Sequence, residues 1–156
     1  MTHAFGDLIG LRVDDSAAGA STLSLVLRPE HLNPHHVVHG AVVFALADTG
    51  MGAALVPTLD AGELCATIEI KINYFKPVTQ GRLECRTTLL NRGKTVANLE
   101  SRVFVGAQLV AAANGNYAIF RLRAPAGPTG SRSGGGPTGP ASGSPAGSPA
   151  GPQQAG

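Results

Sequence analysis

Tryptophan is absent from the 156 residues, and aromatic residues of any kind are few: two Tyr and five Phe. Two cysteines, Cys65 and Cys85, sit in apolar stretches. They are too few for a disulfide scaffold and lack the paired spacing of a zinc site, so a reduced, cytoplasmic setting is expected. Charge is also scarce, at 14% of residues, with 12 Lys and Arg against 10 Asp and Glu. No element concentrates the basic residues, which argues against a nucleic-acid partner. A low charged fraction suits a protein that hides surface in an oligomer. No run reaches the roughly 18 apolar residues of a membrane span. The opening Met-Thr-His-Ala-Phe-Gly-Asp has no basic segment followed by an apolar run, so neither a membrane partner nor a secretory leader is expected.

What is abundant is Gly and Pro, and they are unevenly placed. From Ala124 to Gly156, 28 of 33 residues are Gly, Pro, Ala or Ser, with no aliphatic residue larger than Ala. Such a segment cannot bury enough apolar surface to offset its ordering entropy and is expected to be disordered. The folding unit is therefore residues 1–123, with 11 Gly, 4 Pro and every aromatic residue. A unit of this size buries only about two thirds of its unfolded surface. A long core element in it needs a wrapping sheet or a second subunit.

Periodicity gives the order of elements. Leu23, Leu25 and Leu27 fall on one face of a half-buried strand, with Ile9–Val13 as its hairpin partner across a turn at Asp14–Gly19. Gly40 to Val56 is apolar almost all the way round and is too long for a strand; Pro57 supplies a stop. A helix apolar on every side must be enclosed. Ile68, Ile70, Ile72 and Tyr74 then alternate with Thr67, Glu69, Lys71 and Asn73. Leu83–Leu90 and Thr95–Val105 form a hairpin about Asn91–Lys94, and Leu109–Leu122 is a last strand with Gly115 as an expected bulge. An α+β fold follows, an antiparallel sheet curled around one long central helix.

One stretch joins polar residues to the buried element: Asn33-Pro34-His35-His36-Val37-Val38-His39-Gly40-Ala41, leading to Asp48. At His39-Gly40 the helix begins, and its first backbone N–H groups lack intrahelical partners, a site able to polarise a carbonyl. Asp48 is the one charged residue between His39 and Asp60. A lone carboxylate there is costly unless it is partnered or lies on a cleft. The alternatives are a hydrogen-bonded buried acid for Asp48, a helix cap for His39 and an outward strand residue for Thr67. His31, His35, His36 and His39 lack a credible completing ligand, so no metal is expected.

Asn33, His39-Gly40 and Asp48 on the following apolar helix resemble the signature of hotdog-fold acyl-CoA thioesterases of the phenylacetate-degradation (PaaI-like) type. Thr67 to Pro77 looks like that family's central strand ending in Pro, and Arg92-Gly93-Lys94 is similar to its Gly-Lys hairpin. Where the family usually has a second Gly after His-Gly this chain has Ala41, and a loop position that is often Gly is His36. The resemblance implies hydrolysis of an aryl or medium-chain acyl-CoA without a cofactor. In it Asp48 would activate water or attack as nucleophile, Thr67 would hydrogen-bond the water or the carboxylate, and the Gly40 N–H would polarise the thioester carbonyl. Asn33 and His39 would shape that site, while Arg92 and Lys94 would contact coenzyme A phosphates or be solvated loop charges. It also implies a homo-oligomer, a dimer or dimer of dimers, with each site shared between subunits. A non-catalytic acyl-CoA-binding or sensing module on the same fold is the alternative; such a module has no need for Asp48.

Overall fold

The computed structural model describes residues 4–122; the Gly- and Pro-rich tail from Ala124 lies outside the described residues. The elements are α1 (Ala4–Ile9), β1 (Leu11–Ala17), β2 (Ala20–Val26), α2 (Gly40–Leu55), β3 (Leu64–Tyr74), β4 (Arg82–Arg92), β5 (Val96–Val105) and β6 (Gln108–Phe120). Single 3-10 turns occupy Pro29–His31 and Val56–Thr58. The strands make one antiparallel six-stranded sheet in the order β1-β2-β4-β5-β6-β3. This sheet and its single long helix form the hotdog arrangement expected from the sequence.

Helix α2 packs on the sheet through Val43, Leu46, Met51, Ala54 and Leu55, all buried. One apolar cluster joins Leu46 to Leu23, Leu25, Leu83 and Val103. Another joins Met51 and Leu55 to Leu99, Tyr117 and Ile119. Close approach is set by small residues. A Cβ at Gly50 would stand 2.7 Å from Thr87 Oγ1, and one at Gly115 would stand 2.7 Å from Met51 Sδ. Hydroxyls meet the helix where it comes nearest: Ser21 Oγ donates to the Gly50 carbonyl at 2.7 Å and Ser101 Oγ to that of Ala47 at 3.3 Å. A Thr87–Ser101 hydroxyl pair at 2.7 Å lies beneath them, and burial pushes the adjacent Cys85 thiol up to about 11.

Several expectations are corrected. Ile9 belongs to α1, which stops at Gly10 (φ +71), and β1 runs through Asp14–Ser16 to a tighter turn at Ala18-Gly19. Gly115 is not a bulge: it pairs in register with Leu99 and Ile70, and its missing side chain makes room for Met51. The strand read as central, β3, is an edge of the sheet. Helix α2 is not enclosed by its own sheet either. Ala41, Phe44 and Val56 are exposed and Asp48 and Gly52 half-buried, a stripe at helical spacing. Finally, Gly40–Thr58 forms a continuous helical segment of 19 residues with mean hydropathy 1.5, so it does reach membrane-spanning length. Its packing on the sheet makes it a core helix.

Candidate active site

Strict alternation along β3 would put Thr67 on the face of Glu69 and Lys71, away from the core. The register breaks between Thr67 and Glu69: Thr67 pairs with Tyr117 and Glu69 with Asn116, leaving Ile68 as an extra, exposed residue. This bulge inverts the parity, as bulges beside functional sites do. Cys65 and Thr67 before it face the helix, as do Ile70 and Ile72 after it.

Thr67 therefore points at Asp48. Its hydroxyl donates to Asp48 Oδ1 at 2.9 Å, and the Tyr117 hydroxyl donates to the same oxygen at 2.6 Å. Among the described residues no donor reaches Oδ2, so one carboxylate oxygen is anchored and the other is open. Tyr117 was not read as a site residue from the sequence. The available signal was its position directly across from Thr67 on an inward-facing register of β6. Burial, then the hydrogen bond to Asp48, pushes the Tyr117 hydroxyl far above its ordinary range, which keeps it a proton donor to the carboxylate.

The His-rich loop is arranged by its own side chains. Asn33 Oδ1 accepts from the His35 N–H at 2.8 Å and the Val37 N–H at 3.4 Å, an Asx turn that folds the loop back. His36 takes φ +58, which explains why Gly suits that position. His31 is not a solvated loop residue: it is 3% exposed and its Nδ1 accepts from the Arg28 N–H at 3.0 Å. His39 caps α2, its Nδ1 accepting from the Ala41 N–H at 3.0 Å. The Ala41 N–H is thereby used, while the Gly40 N–H has no acceptor among the described residues. Gly40 is seated by Tyr74, whose hydroxyl donates to the Gly40 carbonyl at 3.1 Å and whose ring leaves only 3.2–3.3 Å for a Cβ.

Asp48, Thr67 and Tyr117 open onto a groove between α2, β1 and β3, lined also by Val13, Gly52, Val56 and Ala66. Cys65 lines it too, but burial raises its thiol pKa, so it is no ready nucleophile. Met51 does not line the groove: it is fully buried under Gly115. Gly40 and Asp48 are eight residues apart on one helix, about 12 Å along its axis, so one chain does not bring them onto a single carbonyl. Nor does it bring Arg92 and Lys94 to the groove. Arg92 NH2 lies 2.5 Å from Glu63 Oε2 and its NH1 donates to the Gly93 carbonyl at 2.6 Å, whereas Lys94 is exposed. Among the described residues no three His, Cys, Asp or Glu side chains cluster to hold a metal.

Fold and site together define a hotdog domain with a helix-borne carboxylate facing an open groove. The sequence pattern of the thioesterase superfamily matches residues 35–112, and the chain belongs to that superfamily. A "Putative esterase" of Archaeoglobus fulgidus is 30% identical over 125 residues, spanning 79% of this chain and 78% of that protein. A conserved protein of Pseudomonas aeruginosa has the same fold with TM-score 0.74 and 30% identity, over 77% of this chain and 96% of that one. A mutant of the phenylacetic acid degradation protein PaaI of Thermus thermophilus superposes with TM-score 0.70 and 27% identity, over 77% of this chain and 100% of that one. The resemblance read from the sequence is thus borne out, and thioester hydrolysis is the general chemistry of the family.

Proposed function

We propose that the protein hydrolyses an acyl-CoA thioester, aryl or medium-chain, at a site completed by a second subunit. The observation that carries this reading is the carboxylate of Asp48, which lines the groove and is fixed through Oδ1 by Thr67 and Tyr117, with no donor to Oδ2 among the described residues. Oδ2 accepts a proton from a water held against it, and the water oxygen forms a bond to the thioester carbonyl carbon. The carbonyl oxygen gathers charge against the Gly40 N–H, where the helix dipole also favours it. Collapse breaks the C–S bond, and the proton held by Asp48 passes to the leaving thiolate. Attack by Oδ2 itself through an anhydride is the other route open to the same geometry.

The two-subunit arrangement is supported by spacing. Residue 44 is midway between Gly40 and Asp48, and Phe44 is 37% exposed on the uncovered stripe of α2. In a two-fold interface the residue that i meets also meets i. A two-fold axis beside Phe44 sets Gly40 of one subunit against Asp48 of the other and covers the stripe. Asn33 would then act by shaping the loop that presents Gly40, and His39 by capping the helix so that the Gly40 N–H stays free. Lys94 is the freer of the two basic residues to meet a coenzyme A phosphate.

The test is release of free thiol from a panel of aryl and medium-chain acyl-CoAs. Asp48→Ala should lower turnover at least by the factor of about 100–1,000 typical of losing one transition-state donor. Equal, background-level rates for both proteins, with coenzyme A still bound, would establish the sensing module instead. Coexpressed Asp48→Ala and Asn33→Ala chains should regain activity through mixed dimers that hold one intact site; inactivity of the mixed dimers would count against a shared site.

A further inference from the structure

Positive charge is scarce around the groove. Among the described residues that line it, Arg12 is the one Lys or Arg, against Asp7, Asp14 and Asp48. The sign changes where the groove meets β1, an edge strand. Gly10, Arg12 and Asp14 line the groove and also a second cavity, of about 390 Å³. Leu11 and Leu25 are paired and buried, so the next pair, Arg12 and Ser24, turns to the sheet face away from α2. Arg28, just after β2, and Arg82, the first residue of β4, converge on the same cavity, in which Asp14 is the single lining carboxylate.

Two of these three guanidiniums are held in place. Arg82 Nη2 donates to Asp14 Oδ2 at 2.6 Å and to Ser24 Oγ at 2.9 Å, and Ser24 is buried. Arg28 Nη2 donates to the Leu8 carbonyl at 3.2 Å, and its Nε pairs with Glu30 at 2.9 Å. The Arg28 head lies over Gly10, 3.6 Å from where a Cβ would stand. Nη1 of Arg28 and Nη1 of Arg82 have no acceptor among the described residues, and Arg12 has no hydrogen bond or ion pair there at all.

We propose that this cavity binds a phosphate group of coenzyme A, with Arg12 as the free cation and Arg28 and Arg82 as fixed donors. This rests on the thioesterase reading: the thioester reacts at Asp48, and the phosphate-bearing arm crosses β1 at Gly10, which has no side chain to obstruct it. A guanidinium presents a planar fork of donors that matches phosphate oxygens. Two forks already fixed by their neighbours lose little freedom on binding. Arg92 and Lys94 line neither the groove nor this cavity.

The experiment measures coenzyme A binding by calorimetry, together with hydrolysis of the acyl-CoA that turns over fastest and of the same acyl group on pantetheine, which has no phosphates. In Arg12→Gln coenzyme A should bind about tenfold more weakly, the scale of one charge-assisted hydrogen bond. In Arg12→Glu it should bind more weakly still. The ratio of kcat/KM for the acyl-CoA to that for the acyl-pantetheine should fall by a similar factor. Because Arg12 is unpaired, Arg12→Gln should melt and elute as the wild type does. Unchanged coenzyme A affinity in both variants overturns the site. Inorganic phosphate that binds as tightly as coenzyme A overturns it too, by marking a site for the free anion. So does a changed elution of Arg12→Gln, which would show a second copy of the chain paired with Arg12. Arg12-dependent binding of coenzyme A by a protein that hydrolyses no thioester supports the site and overturns the hydrolase reading instead.

Discussion

Tyr117 meets Asp48 twice: its hydroxyl lies 2.6 Å from Oδ1 and 2.9 Å from the carbonyl oxygen of the same residue. One proton serves both oxygens, so the side chain and the helix turn that carries it are held by a single group. In Tyr117→Phe the ring still packs while that proton is lost. A hydrogen bond to a charged group contributes about 1.5–3 kcal/mol, and the unfolding free energy from urea titration should fall by an amount within that range. If Asp48 acts as proposed, turnover should fall about tenfold as its carboxylate is loosened. A variant as stable and as active as the wild type would show that Thr67 alone suffices to hold Asp48.

Stability should depend on pH through Glu63. Its carboxylate accepts from the Asp60 N–H at 3.0 Å and faces Arg92 at 2.5 Å and Arg121 at 3.9 Å. The Asp60 bond first, then the arginines, hold its pKa below the ordinary value despite the opposing effect of burial. A depressed folded-state pKa stabilises above the unfolded carboxylate range, about 4.3, and the contribution is lost as pH falls through the folded value. The Tm difference between wild type and Glu63→Gln should be steady from about pH 6 to 8 and shrink below about pH 4. A difference unchanged at acid pH would refute the linkage.

Relief of backbone strain is expected at His36. A non-glycine residue in the left-handed region costs about 1–2 kcal/mol, partly offset in a glycine variant by the greater freedom of its unfolded chain. His36→Gly should stabilise the fold by up to about 1 kcal/mol, read as a raised denaturation midpoint. A lowered midpoint would mean that the imidazole makes a contact outweighing the strain.

The composition boundary at Arg123 carries its own expectation. A chain ending there should melt at the temperature of the full chain and hydrolyse the same thioesters at the same rate. Lower stability or activity would place part of the folding unit in the tail.

The order of elements was legible because burial imposes a period. Leu23 and Leu25, and Ala97 to Val103 along β5, face the core as alternation demands. Asp48 stood out because a charge in an apolar helix must be accounted for. What escaped depends on contacts between elements distant in sequence. Tyr117 is 69 residues from Asp48. The pairing of Arg92 with Glu63 spans 29 residues. Gly115 looked like a bulge because a strand gives no hint of the helix residue above it. Membrane-span length was missed since Asp48 and the small residues broke the run of large apolar side chains, although mean hydropathy stayed high.

The extra residue at Ile68 divides β3 into two segments that are out of phase. On one side the strand keeps time with the core through Ile70 and Ile72; on the other it keeps time with the carboxylate through Thr67. The carboxylate site and the core can therefore vary along one strand without sharing a frame. The change to which this arrangement is most vulnerable is not a substitution but a deletion of one residue, which would restore the alternation, leave the composition almost untouched and turn the Thr67 hydroxyl to the opposite face of the sheet.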